Sequence, residues 1–298
     1  MIEIPDDFAA WTVAREGPAG QIWVDSLPEI VASYLARWSL AVEGPIWHGY
    51  MAVVLPVRRT DGGRAVLKVC WLNEESRGET RALAAWAGRG AVRLIEHDDS
   101  AGVMLLERLD ESRSVRELDG EAAARIAGEV CQRLSIPADA VELPRVAELA
   151  AGWVTQLPLD WNRLGRPFER NVLDAAVTTC REFGPEQPDL LLHGDLVFNN
   201  ILRGDREPWL AIDPFGLIGE PAYDASSLLT NRWSELASKP DLRVALLRRV
   251  AAFAEGAGAD AQRTRRWAQA RMTNDALWCL QHQPDVAGYV VRVAELLV

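Results

Sequence analysis

The chain has 298 residues, of which 49% are hydrophobic and 25% charged, and its formal net charge is −11. This length and hydrophobic content suit one large domain or two lobes with a sizeable core. The negative charge argues against nucleic acid as a partner, because binding phosphates requires a basic face. It is compatible with a small cationic substrate drawn in by a negative field, and equally with ordinary solubility.

No apolar run approaches the length of a membrane span, and residues 1–7 are acidic, unlike a signal peptide. We therefore expect a cytoplasmic protein without a membrane partner. The cysteines are far apart and form no C-x-x-C pair, so we expect buried free thiols and neither a zinc site nor a redox motif. They are Cys70, Cys131, Cys180 and Cys279. Nothing in the sequence indicates an oligomeric state.

The first third of the chain predicts a small antiparallel sheet with one inserted helix. An amphipathic helix is predicted over 28–38, and an Asp61-Gly62-Gly63 turn predicts a hairpin. The predicted strands are 51–57, 65–71, 92–96 and 102–106, and the inserted helix covers 74–88.

Past residue 107 the pattern becomes mainly helical, interrupted by short strands that end near Asp195 and Asp213. The predicted helices are 120–134, 144–156, 168–183, 223–237, 241–256, 262–282 and 286–297. This change of pattern divides the chain into an N-terminal lobe over 1–106, a hinge over 107–110, and a helical lobe over 111–298.

The most informative segment is His193-Gly194-Asp195-Leu196-Val197-Phe198-Asn199-Asn200, which fits the phosphotransfer pattern H-x-D-x-x-x-x-N. In that pattern the aspartate orients the attacking hydroxyl or accepts its proton, and the asparagine holds a metal ion. A second predicted strand ends on Asp213 shortly afterwards. Asp195 is therefore the candidate catalytic residue, and Asn200 and Asp213 are the candidate Mg²⁺ ligands.

Lys68 is one of only two lysines among 32 basic residues, and it lies in an otherwise apolar predicted strand. A kinase places its phosphate-contacting lysine in such a strand; the alternative is a solvated lysine that points out of the sheet. Glu79 on the following helix is the preferred partner of Lys68, with Glu74 and Glu75 as rivals.

Two backbone segments are candidates for nucleotide binding. The loop from Gly44 to Gly49 could cover phosphates through its N–H groups, although it lacks a G-x-G-x-x-G pattern and could be an ordinary hairpin turn. In the predicted hinge, the Glu107 carbonyl and the Leu109 amide are the candidate contacts to the adenine edge; the alternative is a plain linker.

Three segments, His193–Asn200, Ile212–Gly216 and Gly219–Asp224, resemble the aminoglycoside phosphotransferase family, in particular its streptomycin 6-phosphotransferase and hydroxyurea phosphotransferase branch. The resemblance implies a bilobed, protein-kinase-like α+β fold that uses ATP and Mg²⁺. It also implies Asp195 as catalytic base, Asn200 and Asp213 as metal ligands, and Lys68 as the phosphate lysine. Phe215 departs from the pattern, because a more polar or basic residue is expected there.

Two further residues near these segments are expected to give structural support. His193 belongs to the loop itself. Asp224 could cap the helix that it begins and could also hydrogen-bond the catalytic loop from below, and the two roles are compatible.

The sequence thus predicts an ATP-dependent kinase of an aminoglycoside hydroxyl, with streptomycin as the leading substrate and antibiotic resistance as the role. Because streptomycin carries two guanidinium groups, its site should contain carboxylates. The candidates are Asp160, Glu235 and Asp275, the last on a helix face shared with Arg271, Asn274 and Trp278.

Two alternatives remain open from the sequence. One keeps the fold and changes the acceptor to hydroxyurea or to a metabolite alcohol such as choline or homoserine. The other is a non-catalytic nucleotide-binding module, which would not need Lys68, Asp195, Asn200 and Asp213 together.

Overall fold

The computed structural model describes residues 3–298, apart from the side chains of Glu74 and Glu75. The chain divides into two units. Unit 1 runs to Leu109 without residues 89–91, which belong with residues 110–298 in unit 2.

Unit 1 is built on an antiparallel sheet with the strand order β1-β3-β4-β6-β5, and β2 also pairs with β3. Two helices precede the sheet and a third is inserted after β4. The elements are α1 (Asp6–Glu16), α2 (Pro18–Arg37), β1 (Ala41–Val42), β2 (Trp47–His48), β3 (Ala52–Arg58), β4 (Arg64–Cys70), α3 (Glu74–Trp86), β5 (Leu94–Asp98) and β6 (Val103–Glu107).

The alternation of side chains along β4 decides what each face of the sheet meets. Leu67 and Val69 join the core that contains Leu27 and Val31 of α2. The residue between them, Lys68, has the opposite direction and reaches α3. An apolar strand therefore presents one lysine to the helix that follows it.

Unit 2 is mainly helical and carries two small antiparallel sheets, β10-β9-β7 and β11-β8. Its elements are β7 (Asp110–Ser114), α4 (Gly120–Leu134), α5 (Val146–Arg163), α6 (Arg170–Phe183), β8 (Leu191–Leu192), β9 (Ile201–Arg203), β10 (Trp209–Ala211), β11 (Leu217–Ile218), α7 (Trp233–Ala237), α8 (Leu242–Ala257), α9 (Ala261–His282) and α10 (Pro284–Leu296). The core gathers side chains from α5, α6, α8, α9 and α10. Its largest fully buried side chain is Trp267 of α9.

The observed elements differ from the predicted ones in several places. The single helix predicted over 223–237 is wrong, because a 3-10 helix (Pro221–Leu228) is followed by the separate α7. Arg232 between them has a φ of +55°, a left-handed conformation that interrupts a helix. The helices predicted over 28–38 and 144–156 are longer, since α2 and α5 continue through Pro28 and Pro158. Helix α1 and strand β7 lack a sequence prediction, and β7 begins inside the predicted hinge.

Two expectations about covalent and membrane chemistry have outcomes. All four cysteines are buried and outside disulfides, as predicted. Within residues 3–298, every helix is too short or too polar to span a bilayer.

Helices α4 and α8 approach each other closely through two glycines. A Cβ added to Gly128 would lie 2.2 Å from the carbonyl oxygen of Phe253, and one added to Gly256 would lie 2.1 Å from that of Arg125. Both distances are far below contact, so this interface requires glycine. The interface therefore outweighs the cost of about 0.5–1 kcal/mol that glycine imposes inside a helix.

We predict that Gly256→Ala lowers the free energy of unfolding by about 1–3 kcal/mol, because the helices must separate to admit the methyl group. Urea denaturation measures the change. Gly152 is the matched control, because it is exposed on α5 with open space where its Cβ would be. Gly152→Ala should raise stability by about 0.5–1 kcal/mol. Equal effects of the two substitutions would contradict the close helix approach.

Candidate active site

The catalytic loop, residues 193–200, lies between two strand pairs of unit 2. β8 enters it, and its buried leucines pair with Leu217 and Ile218 of β11. The loop ends in a 3-10 turn, Phe198–Asn200, that leads directly into β9. Because β9 and β10 are antiparallel, the chain that leaves β10 runs back to the end of the catalytic loop.

His193 connects the two ends of this arrangement. It is fully buried; its Nε2 donates to the carbonyl of Ile212 (2.9 Å), and its Nδ1 accepts from the backbone N–H of Asp195 (3.2 Å). Burial lowers the pKa of His193 to about 4, which keeps the ring neutral. A neutral ring can donate at one nitrogen and accept at the other, as both contacts require.

Hydrogen bonds to the backbone connect Asn200 with Asp195 and with Ile212, the residue before Asp213. The Nδ2 of Asn200 donates to the carbonyl of Asp195 (3.0 Å), and the Asn200 carbonyl accepts from the Ile212 N–H (2.9 Å). Asp213 is the next residue, exposed, with a φ of +56°. This conformation is unfavourable outside glycine and is found disproportionately at functional sites. The structure therefore brings Asn200 to Asp195, and the residue before Asp213 to Asn200.

Asp224 holds the start of the catalytic loop. Its fully buried carboxylate accepts the backbone N–H groups of His193 (3.0 Å) and Gly194 (2.9 Å). Burial raises the pKa of Asp224 to about 6, while the two N–H groups and Arg271 oppose the rise. The 3-10 helix around Asp224 begins at Pro221, so the helix-cap interpretation is wrong and the loop-bonding one is correct.

Arg271 holds the same peptide segment from its other side. Its Nη1 donates to the carbonyl of Gly194 (2.9 Å), and its guanidinium lies over the ring of Tyr223, 5.2 Å from the centroid. Sequence reasoning named Arg271 only as a neighbour of Asp275. The contact joins residues 77 positions apart in the chain, so no local pattern indicates it.

The far end of the loop has a second pair of supports that the sequence did not indicate. The N–H of Phe198 donates to Oδ1 of Asn231 (2.7 Å), and the Phe198 carbonyl accepts from Oγ of Ser114 (2.6 Å). Arg249 donates to the carbonyl of Asn231 (2.7 Å) and lies over the Phe198 ring. The loop is thus supported at both ends by side chains outside the motif.

The segment Gly219–Asp224 is anchored through Glu220. Its buried carboxylate accepts from Gln187 (2.8 Å) and also from Arg263 and Trp267 of α9. This network fixes the segment that carries Asp224 against α9. The segment that resembles the family in sequence therefore supports the catalytic loop through Asp224.

In unit 1, Lys68 and Glu79 form a buried ion pair. The lysine Nζ lies 2.6 and 2.8 Å from the two carboxylate oxygens, and both residues are about 5% exposed. The partner preferred from sequence is the one observed, and a solvated Lys68 is wrong. The rival carboxylates, Glu74 and Glu75, lie outside the described side chains. Phosphate binding by Lys68 stays a prediction.

The other nucleotide-site candidates occupy backbone positions in unit 1. Gly44 precedes β2, and the N–H of Gly49 donates to the Ala52 carbonyl (2.9 Å) to close the β2–β3 turn. Glu107 ends β6 opposite Ala65, and Leu109 is buried at the end of the unit. Their roles toward a nucleotide stay predictions.

The three carboxylates predicted for the substrate have different surroundings. Asp160 accepts from Arg163 (2.6 Å) and Gln156 (3.0 Å) of its own helix. Glu235 pairs with Arg232 and lies 3.9 Å from Lys239.

Asp275 is connected differently, because it lies one helical turn from Arg271, with 3.8 Å between Nε and Oδ2. Of the three carboxylates, Asp275 is the one connected to the catalytic loop, because Arg271 contacts both. Its side chain is 35% exposed.

The chain has the protein-kinase-like fold. A macrolide 2'-phosphotransferase from Brachybacterium faecium superimposes with a TM-score of 0.57 at 18% identity, covering 89% of this chain and 97% of its own. The predicted fold class, a small antiparallel-sheet unit followed by a mainly helical one, is confirmed.

The sequence match narrows this class. The model of the aminoglycoside/hydroxyurea antibiotic resistance kinases matches residues 37–282, and the chain belongs to that family. A hydroxyurea phosphotransferase from Kitasatospora aureofaciens is 40% identical over all of this chain and 86% of its own length. A streptomycin 6-kinase from Streptomyces glaucescens is 36% identical over 94% of this chain and 92% of its own. The predicted family and the assignment as a phosphotransferase are confirmed.

Asp224 generates a prediction about stability and pH. Its pKa in the folded chain, about 6, exceeds the ordinary 3.8, so the folded state holds the proton more tightly and this group destabilises the fold as pH rises from about 4 to 7. Two pKa units correspond to about 3 kcal/mol. Part of this effect falls below pH 4.5, so we expect the wild-type chain to lose about 2 kcal/mol relative to Asp224→Asn between pH 4.5 and 7.

Urea denaturation at the two pH values measures this difference. Asp205→Asn is the matched control, because it removes an exposed aspartate between β9 and β10. A difference between wild type and Asp224→Asn that stays constant with pH would contradict the assigned environment of this carboxyl.

Proposed function

We propose that the protein is an ATP-dependent O-phosphotransferase that phosphorylates a hydroxyl of a cationic aminoglycoside, streptomycin foremost, and so confers resistance. The observation that carries the proposal is the backbone-held grouping of Asp195, Asn200 and Asp213 in a chain of this kinase family. A carboxylate beside an amide and a second carboxylate is the set that phosphoryl transfer requires.

In this proposal Asp195 accepts or orients the proton of the attacking hydroxyl. Phosphoryl transfer leaves little covalent chemistry to the protein, so the rate depends on position and charge. The backbone on both sides of Asp195 is restrained, by His193 at its N–H and by Asn200 at its carbonyl. A fixed backbone limits the directions available to the short aspartate side chain.

Asn200 and Asp213 would hold Mg²⁺. The donation from Nδ2 to Asp195 leaves Oδ1 of Asn200 as its ligand atom, and the exposed Asp213 supplies a carboxylate. Among the side chains that the structure describes, no cluster of three or more histidines, cysteines, aspartates or glutamates could hold a metal alone. The pair of Asn200 and Asp213 fits Mg²⁺, which takes one or two protein ligands and completes its coordination shell with phosphates and water. When bound, the ion would neutralise phosphate charge.

Lys68 would contact the α- and β-phosphates of ATP, held in place by Glu79. Gly44 and Gly49 would border the phosphates, and Glu107 and Leu109 would meet the adenine edge. On this view residues 1–106 bind the nucleotide, 107–110 act as the hinge, and 111–298 bind the acceptor.

Asp275 is the best-supported carboxylate for the cationic acceptor, with Asp160 and Glu235 as weaker candidates. It is partly exposed and has the indirect connection to the catalytic loop through Arg271. Trp278, one turn further along α9, is 47% exposed, and its ring could stack on a guanidinium. Similarity to streptomycin 6-kinases supports the same substrate.

A second acceptor is hydroxyurea, favoured by the 40% identity to a hydroxyurea phosphotransferase. Hydroxyurea is small and uncharged at neutral pH, so its binding would gain nothing from the charge of Asp275. The acceptor that the enzyme prefers therefore separates the two proposals. In either case we place the protein in the cytoplasm, where four buried thiols outside disulfides are ordinary.

A coupled ADP-release assay over streptomycin, other aminoglycosides, hydroxyurea and choline tests the proposal. We expect Mg²⁺-dependent turnover with streptomycin well above the others. We also expect Asp195→Asn to lower kcat about 10²–10⁴-fold while ATP binding persists, because the hydroxyl loses its proton acceptor. Asp205→Asn, with the same change of charge, is the control. Preference for hydroxyurea would select the second acceptor, and near-normal turnover by Asp195→Asn would contradict the role of this residue.

The two lysines of the chain allow a matched test of the phosphate site. Lys68→Arg should lower kcat/KM about tenfold or more, because a planar guanidinium does not fit a buried site built around a point charge. Lys239→Arg should have no effect, since the Lys239 side chain is 46% exposed. Steady-state kinetics with ATP varied measures both. Equal kinetics for the two variants would remove Lys68 from the nucleotide site.

A further inference from the structure

The backbone before the candidate catalytic residue is held on both of its polar sides. The N–H of Gly194 donates to Asp224 (2.9 Å), and its carbonyl accepts from Arg271 (2.9 Å). That carbonyl belongs to the peptide bond that leads into Asp195. Rotation of this peptide would turn the Asp195 side chain, so the group that holds the carbonyl controls where the carboxylate points.

Gly194 makes the control necessary. Its φ is +83°, and a Cβ would lie 3.1 Å from Cβ of Phe215 and 3.2 Å from two side-chain atoms of Leu217. Glycine is required for this conformation, but glycine also has the least intrinsic preference for one backbone direction. The restraint must therefore come from outside the residue, through Asp224 on one side and Arg271 on the other.

Arg271 is also the cation that balances the acidic groups around this loop. Its side chain is only 13% exposed. The groups whose charges act on it are Asp195, Asp224, Asp275 and Tyr223, and its charge acts in turn on His193. A guanidinium suits this place, because its planar fork can donate to a carbonyl while it lies flat over an aromatic ring.

The arginines of α9 do not all share this position. Arg263 is directed to Glu220, and Arg266 contacts Glu182 (2.6 Å) and the ring of Phe183. Both contacts connect α9 to structural groups. Arg271 contacts the catalytic loop, and the same side chain lies 3.8 Å from Asp275.

We infer that Arg271 is a positioning residue for phosphoryl transfer, which holds the Gly194 carbonyl and thereby aims Asp195 at the acceptor hydroxyl. The inference rests on the proposed function and adds a residue that lies outside every recognised motif of the chain. Arg271 also connects the acceptor carboxylate Asp275 to the residue that acts on the acceptor. It acts through the backbone and does not itself need to touch the reacting atoms.

The test compares Arg271→Met, Arg271→Lys and Arg266→Met in the full chain, with ATP and acceptor varied. Misplacement of a reacting group by about 1 Å costs on the order of 10²-fold in rate. We expect Arg271→Met to lower kcat about 10–100-fold with KM for ATP within about threefold of wild type. Arg271→Lys, which keeps the charge and one donor, should recover part of kcat.

Arg266→Met controls for loss of a partly buried arginine on the same helix. It should lower the melting temperature, and its kcat should stay within about twofold of wild type. If Arg271→Met folds poorly, Arg271→Lys carries the comparison, because a merely structural role predicts normal kcat in the folded fraction.

The outcomes separate the two claims. A kcat for both Arg271 variants equal to that of Arg266→Met, with wild-type turnover intact, overturns the positioning role alone. A loss confined to KM for ATP overturns it as well. Absence of phosphoryl transfer by the wild-type chain overturns the proposed function, and the inference with it.

Discussion

The buried carboxylate of Asp224 is the constraint on which the rest of the candidate site depends. It accepts two successive backbone N–H groups, those of His193 and Gly194, and so sets the direction in which the chain enters the catalytic loop. A buried carboxylate is costly unless it is hydrogen-bonded, and burial raises the pKa of Asp224 to about 6 even with both hydrogen bonds in place. The arrangement exchanges some stability near neutral pH for a fixed loop.

The positions of the other site residues depend on how the chain enters the catalytic loop at His193 and Gly194. His193 extends the constraint to Ile212 and so to Asp213, and Asn200 closes the loop against the Asp195 carbonyl. At the far end, Asn231 and Ser114 hold the two polar groups of the Phe198 peptide. The candidate active residues are therefore short side chains on a backbone held by hydrogen bonds. This is what chemistry that depends on position requires.

The segment Gly219–Asp224, which resembles the family, holds two residues with different structural roles. Glu220 anchors this segment to α9, and Asp224 holds the catalytic loop. Neither needs to meet a substrate. In our proposal the acceptor is recognised by partly exposed groups such as Asp275 and Trp278.

The sequence alone determined the chemistry and the class of fold, because the motif residues are close in the chain and their spacing is characteristic. It also predicted β4 and α3, because side-chain alternation and helix length are local properties, and it favoured Glu79 over Glu74 and Glu75 as the partner of Lys68. It did not determine the 3-10 segment after Pro221 or the direction of Asp224, where buried hydrogen bonds override helix preference.

Only the tertiary structure decided the roles of Arg271, Asn231, Ser114 and Arg249. Each reaches the catalytic loop from an element distant in sequence, and hydrogen bonds between distant elements leave no periodic signal. The close approach of α4 and α8 is a similar case. In the sequence, Gly128 and Gly256 only lower the helix propensity of their segments. Their role in helix packing is visible only once the two helices are in contact.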